Sequence, residues 1–241
     1  MAWEHCNAAG TEHVLIESHL PLALAMLFFA GSHWVLSHPL RKPAVRALGL
    51  NGFLAVYSII ALVALIVVII MNDRAPDGPM LWDGYAILPW IAGSLLSFTA
   101  TALLLASFSR NPALAPRNMN GLSTALPQGV FRVTRHPMMF AIALWGVSHL
   151  IVAPSLRSLL LNGGLAVMAV GGARTQDAKF QALYDKEWRI WSRRSPFWPD
   201  LRNLGQLGWA WGGALIVWGL ITALHWLLAG IPAGPWRFFE S

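Results

Sequence analysis

The sequence predicts an all-α polytopic membrane bundle of about six transmembrane helices, and three observations predict it. Hydrophobic residues make up 56% of the chain and charged ones only 12%. The apolar residues fall in blocks close to the ~20 residues that cross a bilayer as a helix. Segments such as Phe53 to Met71 carry no charge anywhere around the helical wheel, whereas a soluble all-α domain would show apolar stripes backed by charged outer faces.

The first block, Val14 to Ser37, follows the N-terminal string MAWEHCNAAGTEH. That string has no basic leader region and no small-residue cleavage site, so the block is expected to stay as a span. The second and third are Phe53 to Met71 and Ile87 to Phe108. The fourth and fifth, Pro137 to Ala153 and Ser158 to Ala173, are short and joined only through Pro154 and Ser155 to Arg157. They predict a tight helical hairpin, accommodated by thinning of the bilayer or by burial among neighbours. The sixth is Gly208 to Ala229, with Trp209, Trp211 and the later Trp236 expected in the interfacial aromatic belt. No repeat of 20 to 50 residues and no low-complexity tract interrupts the spans, so residues 1–241 read as one domain. Cys6 is the only cysteine, which excludes an internal disulfide or thiolate cluster.

Lysine and arginine predict the orientation. Arg41, Lys42 and Arg46 follow the first span, and Arg110, Arg117, Arg132 and Arg135 the third. Arg174, Lys179, Lys186, Arg189, Arg193, Arg194 and Arg202 follow the fifth, so fourteen of the 17 cations share one side. That side is expected to be cytoplasmic in a bacterial inner membrane, with both termini periplasmic and the loop carrying Asp73, Asp77 and Asp83 also outside. The net charge of +6 is thereby a topology signal and an attraction for anionic headgroups in the lipid bilayer, with no sign of a nucleic-acid surface.

The ionisable residues inside the spans are almost all histidines: His19 and His33 in the first, His149 in the fourth and His225 in the sixth, with Glu17 near the outer end of the first. An ionisable group at membrane depth is costly unless it has a partner, which makes each a candidate for function. Neutral imidazole suits haem iron, and two imidazoles from facing helices make a low-spin site. The shortage of carboxylates argues against a di-iron centre. An intramembrane histidine also serves as a hydrogen-bonding link between helices, and that reading stays open. At ~1.5 Å per residue, His33 lies about 12 Å in from Arg41, His149 about 21 Å from Arg135 and His225 about 26 Å from Gly208. On that ruler His149 meets His225 more easily than His33. At the basic end, Arg135 and His136 precede Pro137, a residue suited to a helix's first turn, and offer an anion-binding entrance or an interfacial anchor.

Several strings together resemble the NnrU family of bacterial membrane proteins. They are GSHWVLSHPLR, the pair Tyr57 and Ser58, the acidic loop ending PMLW, TRHPMMFAIALWGVSHL, SLRSLLLNGG, GARTQDAKF, EW, SPF and HWLLAGIP. The resemblance spans residues 31–232 and is most specific in the RHP…W…H stretch. It implies an association with denitrification and nitrogen-oxide metabolism. Through a plant zeta-carotene isomerase relative it also implies haem b held by His33 and His149, with a redox-linked, isomerase-like change on an apolar substrate. Ser148 stands where the family usually has alanine before that histidine, and no carotenoid-specific motif accompanies it. The RHP segment also resembles integral-membrane methyltransferases. That likeness implies S-adenosylmethionine bound by His136 with Asp177, Glu187, Trp188 and Arg194, although the paired glutamates of those enzymes are missing. A third expectation is an assembly or regulatory factor for a membrane redox complex. The leading expectation is a haem b protein with His149 as one axial ligand, His33 as the other and His225 as its substitute.

Overall fold

Residues 2–109 and 124–239 are described by a computed structural model, with side chains from residue 18 onward. The side chains of Cys6 and Glu17, and all of Arg110 and Arg117, lie outside that description. The elements are helical: α1 (Ala2–Ser37), α2 (Arg41–Arg74), α3 (Ile87–Ser107), a single turn α4 (Val130–Val133), α5 (Pro137–Val152), a short α6 (Leu156–Ser158), α7 (Gly164–Arg194) and α8 (Trp209–Ala229). One π turn, Leu159–Gly163, joins α6 to α7, and 3₁₀ turns at Leu201–Leu207 and Gly234–Phe239 flank α8.

Five helices are long and apolar enough to cross a membrane, and α5 is a shorter apolar helix beside them. The helices pack in the order α2, α1, α7, α5, α3, α8, and α5 lies closest against α3. Lipid tails are as apolar as leucine, so this packing relies on small residues that let backbones approach. A Cβ on Gly146 would sit 2.6 Å from the Asn162 carbonyl oxygen, and one on Gly93 would sit 3.2 Å from the Ser148 carbonyl. The buried residues of α3 are mostly small, with Gly93, Ala100, Ala102, Ala106 and Ser107 beside the larger Trp90 and Leu103.

Two helices extend beyond the spans the apolar pattern marks. The chain from Leu156 to Arg194 is helical over 39 residues with a kink at Tyr184 (φ −133°, ψ 24°), and the stretch before the kink is already about 42 Å long against a hydrocarbon core of about 30 Å. The segment after Ala173, expected as a loop, is therefore helix projecting past the bilayer. It holds together because Phe180, Trp188 and Trp191 line one face and bury against Phe131, Leu103 and Leu207. Similarly, α2 starts at Arg41 rather than near Phe53. Gly49, at φ 69°, ψ 170°, breaks the helical geometry and separates a basic first segment from the apolar span. Glycine alone takes that conformation without a steric cost.

The expected hairpin between the fourth and fifth spans is present. Ser155 caps α6 by accepting a hydrogen bond from Ser158 N at 3.2 Å, and the buried Asn162 Nδ2 donates to Ser158 Oγ at 2.9 Å. Acidic and basic ends are each internally consistent. Arg157 pairs with Asp77, Leu81 N donates to Pro154 O, and Trp82 Nε1 donates to Ile151 O at one end. Arg135, His38 and Arg194 make their contacts at the other. Of the belt tryptophans, Trp209 is exposed. Trp211 instead packs on Phe98 and donates to Leu204 O, and Trp236 donates to Thr222 Oγ1.

The helix contacts predict two opposite glycine outcomes. Gly146→Ala pushes α5 off a backbone oxygen that cannot step aside and is expected to lower stability by about 1–3 kcal/mol. Gly219→Ala enters open space and is expected to be neutral or stabilising by up to about 1 kcal/mol. Thermal unfolding in one detergent compares them.

Candidate functional site

Two polar sites and one set of intramembrane imidazoles stand out. The first is a clasp at the basic end. His136 precedes Pro137 and is held out of the helical conformation (φ −122°, ψ 56°), while Pro137 opens α5 with no need of a backbone donor. Asp177, from the α7 extension, accepts from Arg135 Nε at 3.1 and 3.0 Å and pairs with the Arg135 Nη2 amino group. It also accepts from His136 Nε2 at 2.7 Å. Gln176 meets His136 Nδ1 at 3.1 Å, and Arg135 Nη1 donates to Ser195 O at 2.9 Å.

The SPF segment closes over this cluster. Arg135 N donates to Pro196 O at 2.9 Å, Thr134 Oγ1 to Phe197 O at 2.6 Å, and Asp200 N to Val133 O at 2.8 Å. The Phe197 ring lies 5.1 Å from the Arg135 guanidinium and 5.4 Å from the His136 ring. His136 is 3% exposed. Asp177 lies beyond the apolar stretch that ends near Ala173, outside the bilayer. Burial acts to raise its pKa, but hydrogen bonds and charge from His136 and Arg135 outweigh this and hold it below the usual carboxylate range.

The clasp thus uses both ring nitrogens of His136 and the carboxylate-facing edge of Arg135. A cofactor carboxylate would have to displace Asp177 or Gln176 to reach His136. Trp188, expected in a methyl-donor pocket, is 3% exposed and packed at a tilt on Phe180 in the core. An open cleft of about 530 Å³ does adjoin the clasp, lined by Arg132, Arg135, Arg193, Arg194 and Asp200.

The second site is a cavity of about 230 Å³ where the α1–α2 pair meets α5 and α7. His33 is on its wall with Trp34, His38, Tyr57, Met139 and Lys179; neither His149 nor His225 lines it. Ile142 does, and His149 lies two helical turns further along α5, about 10 Å away along the axis. The structure does not bring His33 and His149 to one wall. Burial, with repulsion from the nearby Arg41, pulls the Lys179 ammonium below its ordinary range.

The third set is His33, His149 and His225. In each, Nδ1 faces a carbonyl one turn back: Phe29 O at 2.8 Å, Trp145 O at 2.9 Å and Ile221 O at 2.8 Å. A carbonyl only accepts, so Nδ1 carries the hydrogen, and in the neutral ring Nε2 holds a free lone pair. His19 and His38 are different: their Nε2 atoms meet Pro76 O and Thr175 O. His149 and His225 are near enough to interact electrostatically. Trp145 covers one side of the His149 ring with centroids 4.2 Å apart. Among the described residues no group of three or more His, Cys, Asp or Glu side chains could hold a metal ion.

Residues the sequence did not single out include Trp34, His38 and Lys179. The signal was available for the first two, because His33, Trp34, Ser37 and His38 follow at helical spacing and share the cavity. Lys179 looked like one more topology-setting cation.

The fold and these sites define a multi-pass helical membrane protein with a cation-rich polar end and several histidines within its spans. The NnrU protein family model matches residues 21–233, and the chain belongs to that family. No curated protein and no solved structure matches the chain.

The clasp carries a pH-dependent prediction. Because its pKa is lower folded than unfolded, Asp177 contributes stability above about pH 4, lost as pH falls through the depressed folded value. Asp177→Asn leaves Arg135 without its counter-charge and is expected to cost about 1–3 kcal/mol near neutral pH. Thermal scans across acid pH are expected to show a flatter decline in the variant than in the parent.

Proposed function

We propose that this protein is a haem b protein of the bacterial inner membrane, with the cation-rich end cytoplasmic, and that His149 would be one of the residues that hold the haem iron. The carrying observation is the orientation of the intramembrane imidazoles. His33, His149 and His225 each anchor Nδ1–H on a backbone carbonyl and leave Nε2 as an acceptor, the arrangement by which proteins fix a ligating histidine's tautomer and direction. We take His225 as the partner of His149, the substitute the depth ruler favours, because His33 faces a separate cavity that His149 does not line.

When bound, haem would supply one-electron redox chemistry and a coordination position at the iron. The chain's own contribution is to hold the rings. The carbonyls of Trp145 and Ile221 set the two imidazole directions, and the Trp145 ring packs on one side of His149. A redox-linked, isomerase-like change on an apolar substrate, within nitrogen-oxide metabolism, is the activity that we attach to this site. A regulatory or assembly role in a membrane redox complex would use the same redox centre. Methyl transfer from S-adenosylmethionine is the weaker reading, because His136 is sealed within the clasp.

Optical spectra of the purified full chain, expressed with ample haem, test this reading. A Soret band with sharp reduced-state bands is expected, and His149→Ala and His225→Ala are each expected to lose most of the bound haem while His33→Ala keeps it. Loss in His33→Ala and retention in His225→Ala would move the second ligand to His33. Absence of the band in the parent, or full retention in His149→Ala, overturns the proposal.

A further inference from the structure

The cavity between α1, α2, α5 and α7 has chemistry of its own. Met139, Ile142, Met168 and Ala169 make one part of its wall apolar, while Trp34, Tyr57, Thr175, Gln176 and Lys179 make the part toward the basic end polar. Donors there outnumber acceptors. Trp34 Nε1 is buried with no hydrogen-bond partner among the described residues. The Tyr57 ring contacts His33 and Phe53, and its hydroxyl is engaged by none of the described residues. Lys179 lies 4.9 Å over the Phe180 ring and ion-pairs with no acid among the described residues. Arg41, near enough to repel Lys179, instead sits 5.2 Å over the Phe53 ring.

A buried donor with no acceptor costs about 1–3 kcal/mol, and two neighbouring cations without a counter-ion add repulsion to that. The nearby carboxylate, Asp177, is taken up by Arg135 and His136. Packing maintains the donor position: Gly171 lets the indole of Trp34 lie where a Cβ would come within 2.7 Å of its ring. Donors and positive charge at one end with sulfur and methylene surface at the other match a molecule with an oxyanion head and an apolar tail.

We propose that this cavity binds the carboxylate or phosphate head of an anionic amphiphile, with the head against Trp34, Tyr57 and Lys179 and the first carbons of its tail against Met139 and Met168. This site is separate from the His149–His225 pair that supports the haem reading, so the failure of either leaves the other standing.

Native mass spectrometry of the detergent-purified full chain tests the proposal, with oleate, phosphatidylglycerol and inorganic phosphate in separate arms. Saturable binding of one equivalent of oleate or of phosphatidylglycerol is expected, and whichever binds identifies the source of the head. Lys179→Ala and Trp34→Phe are each expected to weaken it about tenfold or more, and Lys179→Arg to retain most of it. Gly172→Leu adds bulk to the cavity wall while leaving every donor in the sequence, with its Cβ meeting Met139 Sδ at 3.7 Å, and is expected to weaken it too. Arg202→Ala, a cation 90% exposed and away from the cavity, is expected to change nothing. Binding that is equal in the parent, Lys179→Ala and Gly172→Leu, or equally lost in Arg202→Ala, overturns the proposal. So does binding of inorganic phosphate as tight as that of either amphiphile.

Discussion

The carboxylate of Asp177 organises the polar end of the molecule. One side chain from the α7 extension accepts from both Arg135 and His136, and those residues in turn hold the SPF segment through Ser195, Pro196 and Phe197. Separated stretches of chain are thereby joined at the first turn of α5. A buried ion pair is poor evidence of net stabilisation, because desolvation opposes the attraction. Its effect here is positional: breaking it would leave a guanidinium only 12% exposed without a counter-charge. The entry of α5 is consequently fixed, and with it the depth of His149 on that helix.

The remaining helix positions follow from close backbone approach rather than from expulsion of water. Within lipid, dispersion and interhelical polar contacts do the work, and glycines and alanines on α3, α5 and α7 supply the short distances. The α1–α2 pair is tied to the other helices by polar contacts at both ends, His38 to Thr175 O at one and Arg157 to Asp77 and Ala75 O at the other, while His19 to Pro76 O joins α1 to the loop after α2. Between those ties the packing leaves a gap. That gap is the cavity lined by His33 and Lys179, which makes the seam between the two helix groups a place for a ligand.

Histidine takes two distinct parts in this protein. His19, His38 and His136 place Nε2 on a protein oxygen and act as links. His33, His149 and His225 bond through Nδ1 to their own helix and keep Nε2 free. The difference lies in what the ring reaches: a long-range carbonyl or carboxylate in the first group, and the carbonyl one turn back in the second. This divides residues that look alike on a hydropathy plot.

The apolar blocks, the hairpin at Pro154 and the segregation of cations are all local properties of composition and spacing. They were therefore legible in the chain, as was the NnrU resemblance, which a family match over residues 21–233 bears out. Hydropathy marks only what lies in lipid. It stopped at Ala173, where the helix in fact runs to Arg194 on the strength of the contacts made by Phe180, Trp188 and Trp191. The order of the helices, the closure of His136 by Asp177 and the cavity that gathers His33, Met139 and Lys179 without His149 depend on residues far apart in the chain. Periodicity encodes which face of a helix is apolar, but the neighbour that covers that face depends on the packing of every other helix.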